Sequence, residues 1–130
     1  MNNELFKTYE PKRKDRFVVE FPTQLGIESF LVKKCDLPKY NKNLNWTEIE
    51  IIFYEIIPIS TAEIILKLLK MKMFSFNILL LDPTGLVIEK WKIFVQEILN
   101  IDFGSMDLSS EEYLTSKILI KPKECFLIKN

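Results

Sequence analysis

Residues 74–95 read FSFNILLL, then DPTG, then LVIEKWKIFV. Two apolar runs rich in β-branched and aromatic residues flank four turn residues. In Asp82-Pro83-Thr84-Gly85, proline pre-sets the backbone angle of the second turn position and glycine closes the turn. Such punctuation between two β-prone runs predicts an antiparallel hairpin, Phe74–Leu81 with Leu86–Val95. Phe74–Leu81 is apolar on both faces, so this strand needs cover from two directions.

Working outward, the N-terminal side holds further strands. Arg16–Phe21 alternates, with Phe17, Val19 and Phe21 on one face. Pro22 ends the run and Gly26 marks a turn. Phe30–Lys34 is a second short strand, and Leu37-Pro38 breaks it, because proline cannot donate to a ladder. Polar Lys39–Asn45 predicts an exposed loop. Trp46–Tyr54 alternates over its whole length, with Thr47, Ile49, Ile51 and Phe53 opposite Trp46, Glu48, Glu50, Ile52 and Tyr54. One helix interrupts the strands. Ser60-Thr61-Ala62-Glu63 has the spacing of a reciprocal capping box, followed by Ile64, Ile65, Leu68 and Leu69 at helical spacing. On the C-terminal side, Ile98–Phe103, a strand around Tyr113–Lys121, and Cys125–Ile128 follow a turn at Gly104-Ser105 and an acidic stretch, Asp107–Glu112. The sum is a mainly β chain of about six strands with one flanking helix.

The composition narrows the chemistry. The chain has 130 residues, 18 basic and 18 acidic, and is 48% hydrophobic with ten phenylalanines. That length predicts one domain over residues 1–130, with the polar residues 1–15 as an N-terminal arm. No apolar run approaches the ~18 residues of a membrane span, and Met1-Asn2-Asn3-Glu4 opens no signal-peptide core, so an intracellular, membrane-free protein is expected. Histidine is absent. That removes Ser–His and Cys–His nucleophile pairs and all histidine-containing metal sites. Cys35 and Cys125 are read as small buried apolar residues. The three glycines, Gly26, Gly85 and Gly104, are too scattered for a phosphate loop. No cofactor, metal or catalytic residue is expected, and the chain reads as one that assembles rather than one that catalyses.

In order, Arg16-Phe17-Val18-Val19-Glu20-Phe21, Lys34-Cys35-Asp36-Leu37-Pro38 and Trp46…Ile49-Glu50-Ile51 resemble the opening of the tail tube proteins of contractile-tailed bacteriophages. The likeness continues through Leu81–Trp91 and Ile101-Asp102-Phe103-Gly104. The resemblance implies a small antiparallel β-barrel or sandwich flanked by one helix, whose strands complete a large barrel in a hexameric ring. Rings would stack into the inner tube of a contractile tail or of a related particle, as in pyocins and the type six secretion system. It further implies a sheath protein, a baseplate tube-initiator and a tail-terminator as partners, DNA or effector passing through the lumen without specific binding, and a place in the virion tail after assembly in the host cytoplasm. The chain is short, with no room for an inserted outer domain. A repeating tube subunit and a tube initiator at the baseplate both remain open.

Two groups of residues are candidates within that reading. Phe6, Tyr9, Leu37, Pro38 and Tyr40 are apolar or aromatic residues in arm or loop segments, where exposed aromatics mark interfaces; they are expected at inter-subunit contacts. Glu48 and Glu50 alternate with Ile49 and Ile51, so they point away from the core, and in the implied ring they would face the lumen. The alternative function is a small nucleic-acid-binding module using Lys12, Arg13, Lys14, Arg16, Lys33, Lys34, Lys39 and Lys42. Asp15, Glu20, Glu28 and Asp36 interleave with these cations, whereas phosphate binders show a clear basic excess. Glu111-Glu112 and Glu48/Glu50 are the remaining carboxylate pairs, and no motif joins them to a substrate pocket.

Overall fold

A computed structural model describes residues 10–71 and 73–129. Six strands form one antiparallel sheet in the order β1-β6-β7-β8-β5-β2. They are β1 Phe17–Glu20, β2 Val32–Cys35, β5 Ile49–Tyr54, β6 Phe74–Leu81, β7 Val87–Asp102 and β8 Thr115–Lys129. The sheet curls until its two edge strands, β1 and β2, approach each other, so it nearly closes into a barrel. Alternation explains what is inside. Val19, Ile49, Ile51, Phe53, Phe76, Ile78, Ile93, Ile118 and Ile120 are all essentially inaccessible and meet in one core. Phe21 stacks between Phe53 and Phe76, with ring centroids 5.9 and 5.5 Å away.

The hairpin over residues 74–95 forms as its turn residues dictate. Asp82 Oδ1 accepts hydrogen bonds from Thr84 N, Thr84 Oγ1 and Leu86 N, and Gly85 takes a positive φ of 89°. These bonds, the Thr84 hydroxyl foremost, hold the Asp82 carboxyl below the usual carboxylate range.

The helix α1, Thr61–Leu68, buries Thr61, Ile65 and Leu68 against the sheet. Ser60 Oγ accepts from Glu63 N at 3.2 Å, the forward half of the expected capping box. The other free amides at this end are met by Glu55, whose carboxylate accepts from Thr61 N at 2.7 Å and Ala62 N at 3.0 Å. An ionised acceptor at a helix N-terminus makes a stronger bond than a neutral one, so the cap comes largely from the residue that follows β5.

Three expectations are corrected. Lys39–Asn45 is not a plain loop: Tyr40–Asn41 (β3) pairs with Asn45–Trp46 (β4) in a tiny hairpin. Asn45 supplies the positive φ of 63° that the turn requires, and Asn41 Oδ1 accepts from Asn43 N and Leu44 N. Trp46–Tyr54 is therefore interrupted, and Trp46 packs against the core instead of sharing the Glu50 face. Phe30 and Leu31 lie in a 3-10 turn, Ser29–Leu31, ahead of β2. Finally, the segments expected as separate strands on the C-terminal side are two long ones. β7 runs 16 residues and β8 runs 15, bending through bulges near Val95, Glu97 and Asn100.

Candidate assembly surface

The two long strands are offset relative to their neighbours. β6 pairs with β7 only from Val87 to Val95. β5 pairs with β8 only from Thr115 to Ile120. Beyond those limits β7 and β8 are bonded to each other, through Glu97↔Lys121 to Asp102↔Lys117 at one end and Glu89↔Lys129 to Glu124↔Phe94 at the other. Among the described residues, the outer edge of β7 past Val95 and the outer edge of β8 past Ile120 carry no paired strand. Unpaired strand edges are templates for another chain.

The edge of β8 is also apolar. Cys125-Phe126-Leu127-Ile128 continues past the start of β5, and Phe126, Leu127 and Ile128 keep 47%, 51% and 42% of their surface exposed. Phe126 and Ile128 point to one face and Leu127 to the other, so both sides of this strand lie half in water. Phe126 meets Phe94 edge-on at 5.9 Å, and the Lys92 ammonium sits 5.3 Å from the Phe94 ring. On the core side, Trp46 meets Trp91 at 6.4 Å and Tyr40 at 5.2 Å. Lys121 Nζ donates to Trp46 O at 2.7 Å and ties β4 to β8.

The candidate residues fall as follows. Phe6 and Tyr9 lie outside the described residues. Leu37 and Tyr40 are exposed and Pro38 is half-buried; Leu37 and Pro38 lie between β2 and the small hairpin, and Tyr40 is the hairpin's first residue. Glu50 stands opposite Leu119, on the sheet face away from the core, as alternation requires. Glu48 is exposed and borders an open groove of about 570 Å³ together with Leu44, Gln96, Glu97, Leu99 and Lys121. That face is mixed in charge, because Lys117 and Lys121 share it, opposite Asp102 and Glu97. The offset of β7 and β8 was not legible in the sequence. Its one trace is that Val87–Asp102 and Thr115–Lys129 each keep apolar residues through their polar interruptions.

Of the basic residues considered for nucleic-acid binding, Lys12 pairs with Glu89, Arg13 with Asp15, Arg16 with Glu10 and Lys39 with Asp36. Burial, helped by Asp36, pushes the Cys35 thiol up, and burial pushes Cys125 to about 11. Among the described residues, no group of three or more Cys, Asp or Glu is placed to hold a metal ion.

Neither a protein-family model nor a curated relative matches the sequence. Solved structures do match in fold. A chain of the sheath–tube complex of an extracellular contractile injection system (PVC) in its extended state superposes with a TM-score of 0.70 at 10% identity, over 100% of this chain and 99% of that one. A chain of the anti-feeding prophage baseplate gives 0.64 at 13% identity, over 93% of this chain and 97% of that one. A chain of the PVC sheath/tube terminator gives 0.67 at 12%, over 92% and 98%. The fold is thus that of a chain found in contractile injection systems: a curled six-stranded antiparallel sheet with one flanking helix.

Proposed function

We propose that this chain is a structural subunit of the tube of a contractile injection system. Copies join edge to edge into closed rings of six, and the rings stack into a conduit. The observation that carries this reading is the offset of β7 and β8. Among the described residues, one subunit offers two different unpaired edges, past Val95 on β7 and past Ile120 on β8. Two unlike patches that mate make a head-to-tail contact, and head-to-tail contacts close into rings when the rotation per copy allows it. A barrel assembled from strands of many copies is wide enough to leave an aqueous channel. The full-length likeness to chains of injection-system assemblies supports the same reading.

In such a ring, Leu37, Pro38 and Tyr40 contact the neighbouring copy, as do Phe6 and Tyr9 of the N-terminal segment. Glu48 and Glu50 face the lumen. The mixed charge of their face suits a wall that lets DNA or protein cargo pass without holding it. The sheath, a baseplate initiator and a terminator are the remaining partners. A tube initiator of the same fold is the second reading, favoured by the likeness to a baseplate chain. Negative-stain microscopy of the purified protein tests both. Tubes support the repeating subunit, and rings that never elongate support the initiator. A monomer by light scattering at high concentration, across several salts, overturns the proposal.

A further inference from the structure

We propose that adjoining rings are held together by a charge-complementary contact between the loop at residues 103–114 of one copy and the basic segment at residues 10–16 of a copy in the next ring. This rests on the tube reading above.

The two elements lie at opposite ends of the long β7–β8 ribbon. Residues 10–16 sit at the β6–β7 turn: Leu81 N donates to Arg16 O at 3.0 Å, and Lys12 Nζ reaches Glu89 at 2.9 Å. The loop leaves β7 at Asp102 and enters β8 at Thr115. From Glu89 to Asp102 the strand runs roughly 40 Å at its usual rise. The described basic segment of a copy is therefore far from the loop of that same copy, and it meets the loop of another copy when rings stack in one direction.

Each end has the chemistry the other needs. Residues 102–114 contain Asp102, Asp107, Glu111 and Glu112 and no cation. None of these carboxylates is in an ion pair among the described residues. The loop is shaped from within: Asp102 Oδ1 accepts from Gly104 N at 2.8 Å, and Asp107 Oδ1 accepts from Ser109 N and Oγ. The Ser109 bonds hold the Asp107 carboxyl below its usual range, keeping it charged. Met106, Leu108 and Tyr113 are exposed on this loop. With Asp102, Asp107 and Glu112, two of them, Met106 and Tyr113, border an open groove of about 590 Å³, in which Lys117 of β8 is the one cation against three carboxylates. Exposed large side chains of this kind, rimmed by charge, mark protein contacts. At the other pole, Lys12, Arg13, Lys14 and Arg16 outnumber Glu10 and Asp15. Lys12, Arg13 and Arg16 already pair with Glu89, Asp15 and Glu10, so among the described residues the segment offers a small positive excess and, in Lys14, one cation outside any ion pair. A stack of identical rings requires the top of one to fit the bottom of the next, and opposite net charge at the two poles meets that requirement.

The test is a charge swap in the full-length protein, read as tube length by electron microscopy. Asp107→Lys with Glu112→Lys should leave rings intact and shorten tubes more than about tenfold, since a surface charge contact of modest strength is repeated in every copy of a ring. Arg13→Glu with Lys14→Glu should do the same. All four changes in one chain should restore tubes. In the parent, raising salt from about 0.05 M to about 1 M should release rings from tubes, because the screening length falls to a few ångströms. Tubes of parental length from either double variant, or a fourfold variant that stays as rings, overturns the contact. A parent chain that forms no rings overturns the tube reading and the contact with it.

Discussion

Replacing Phe126, Leu127 and Ile128 together by threonine strips the apolar character from the open edge of β8 while keeping β-branched side chains that suit a strand. Each residue is about half exposed in the isolated subunit, and fully burying such a side chain stabilises by about 1.5–3 kcal/mol. The half still in water is therefore worth about 1 kcal/mol per residue, or about 3 kcal/mol per subunit contact for the three. At about 1.4 kcal/mol per tenfold, that weakens each contact by roughly a hundredfold. We expect the concentration at which rings appear, followed by light scattering and sedimentation, to rise by about two orders of magnitude. The same residues contribute their buried half to the fold, so circular dichroism and urea unfolding should accompany the measurement. Each single replacement should raise the threshold by about fivefold and leaves most of the fold's stability in place. Folded variants that assemble at the parental threshold would refute the edge-to-edge reasoning.

Four further outcomes test the subunit itself. Glu55→Ala removes the acceptor of the Thr61 and Ala62 amides and should lower stability by about 2 kcal/mol in urea unfolding, more than Ser60→Ala at about 1 kcal/mol. Gly104→Ala places a methyl 2.8 Å from Thr115 O at a φ of +86° and should cost about 1–3 kcal/mol by the same assay. Cys35 and Cys125 should resist iodoacetamide at pH 8 in the native protein and react rapidly in denaturant, since the thiolate is the reactive form. Both thiols are raised on folding. Their contribution to stability is thus complete below about pH 9 and lost as pH climbs, which melting curves at pH 8 and about 10.5 should show.

What was legible in the sequence was what local residues decide alone. The Asp82–Gly85 turn, the Ile49/Ile51/Phe53 face and the Ser60 cap each depend on neighbours within a few positions. What was not legible depends on residues far apart. Glu55 caps the helix only because β5 ends beside it. Lys39–Asn45 looks like a loop because its composition is polar, and the left-handed backbone at Asn45 is what turns it into a hairpin.

The most consequential feature, the offset of β7 and β8, is hidden for a physical reason. Bulges let a strand continue through polar or proline-containing positions by leaving a residue unpaired and bending the chain. Val95 stands opposite Pro122 at such an irregularity, and each side of it reads as the end of a strand. Taken as four short strands, the segments would fill a closed sheet and leave nothing over. Taken as two long ones, each outruns its neighbour in the opposite direction, β7 past the start of β6 and β8 past the start of β5. Surplus edge on both sides is what a subunit needs in order to extend its sheet into the next copy. Under the tube reading proposed above, the residues that disguise the strands are the ones that let them reach the next copy.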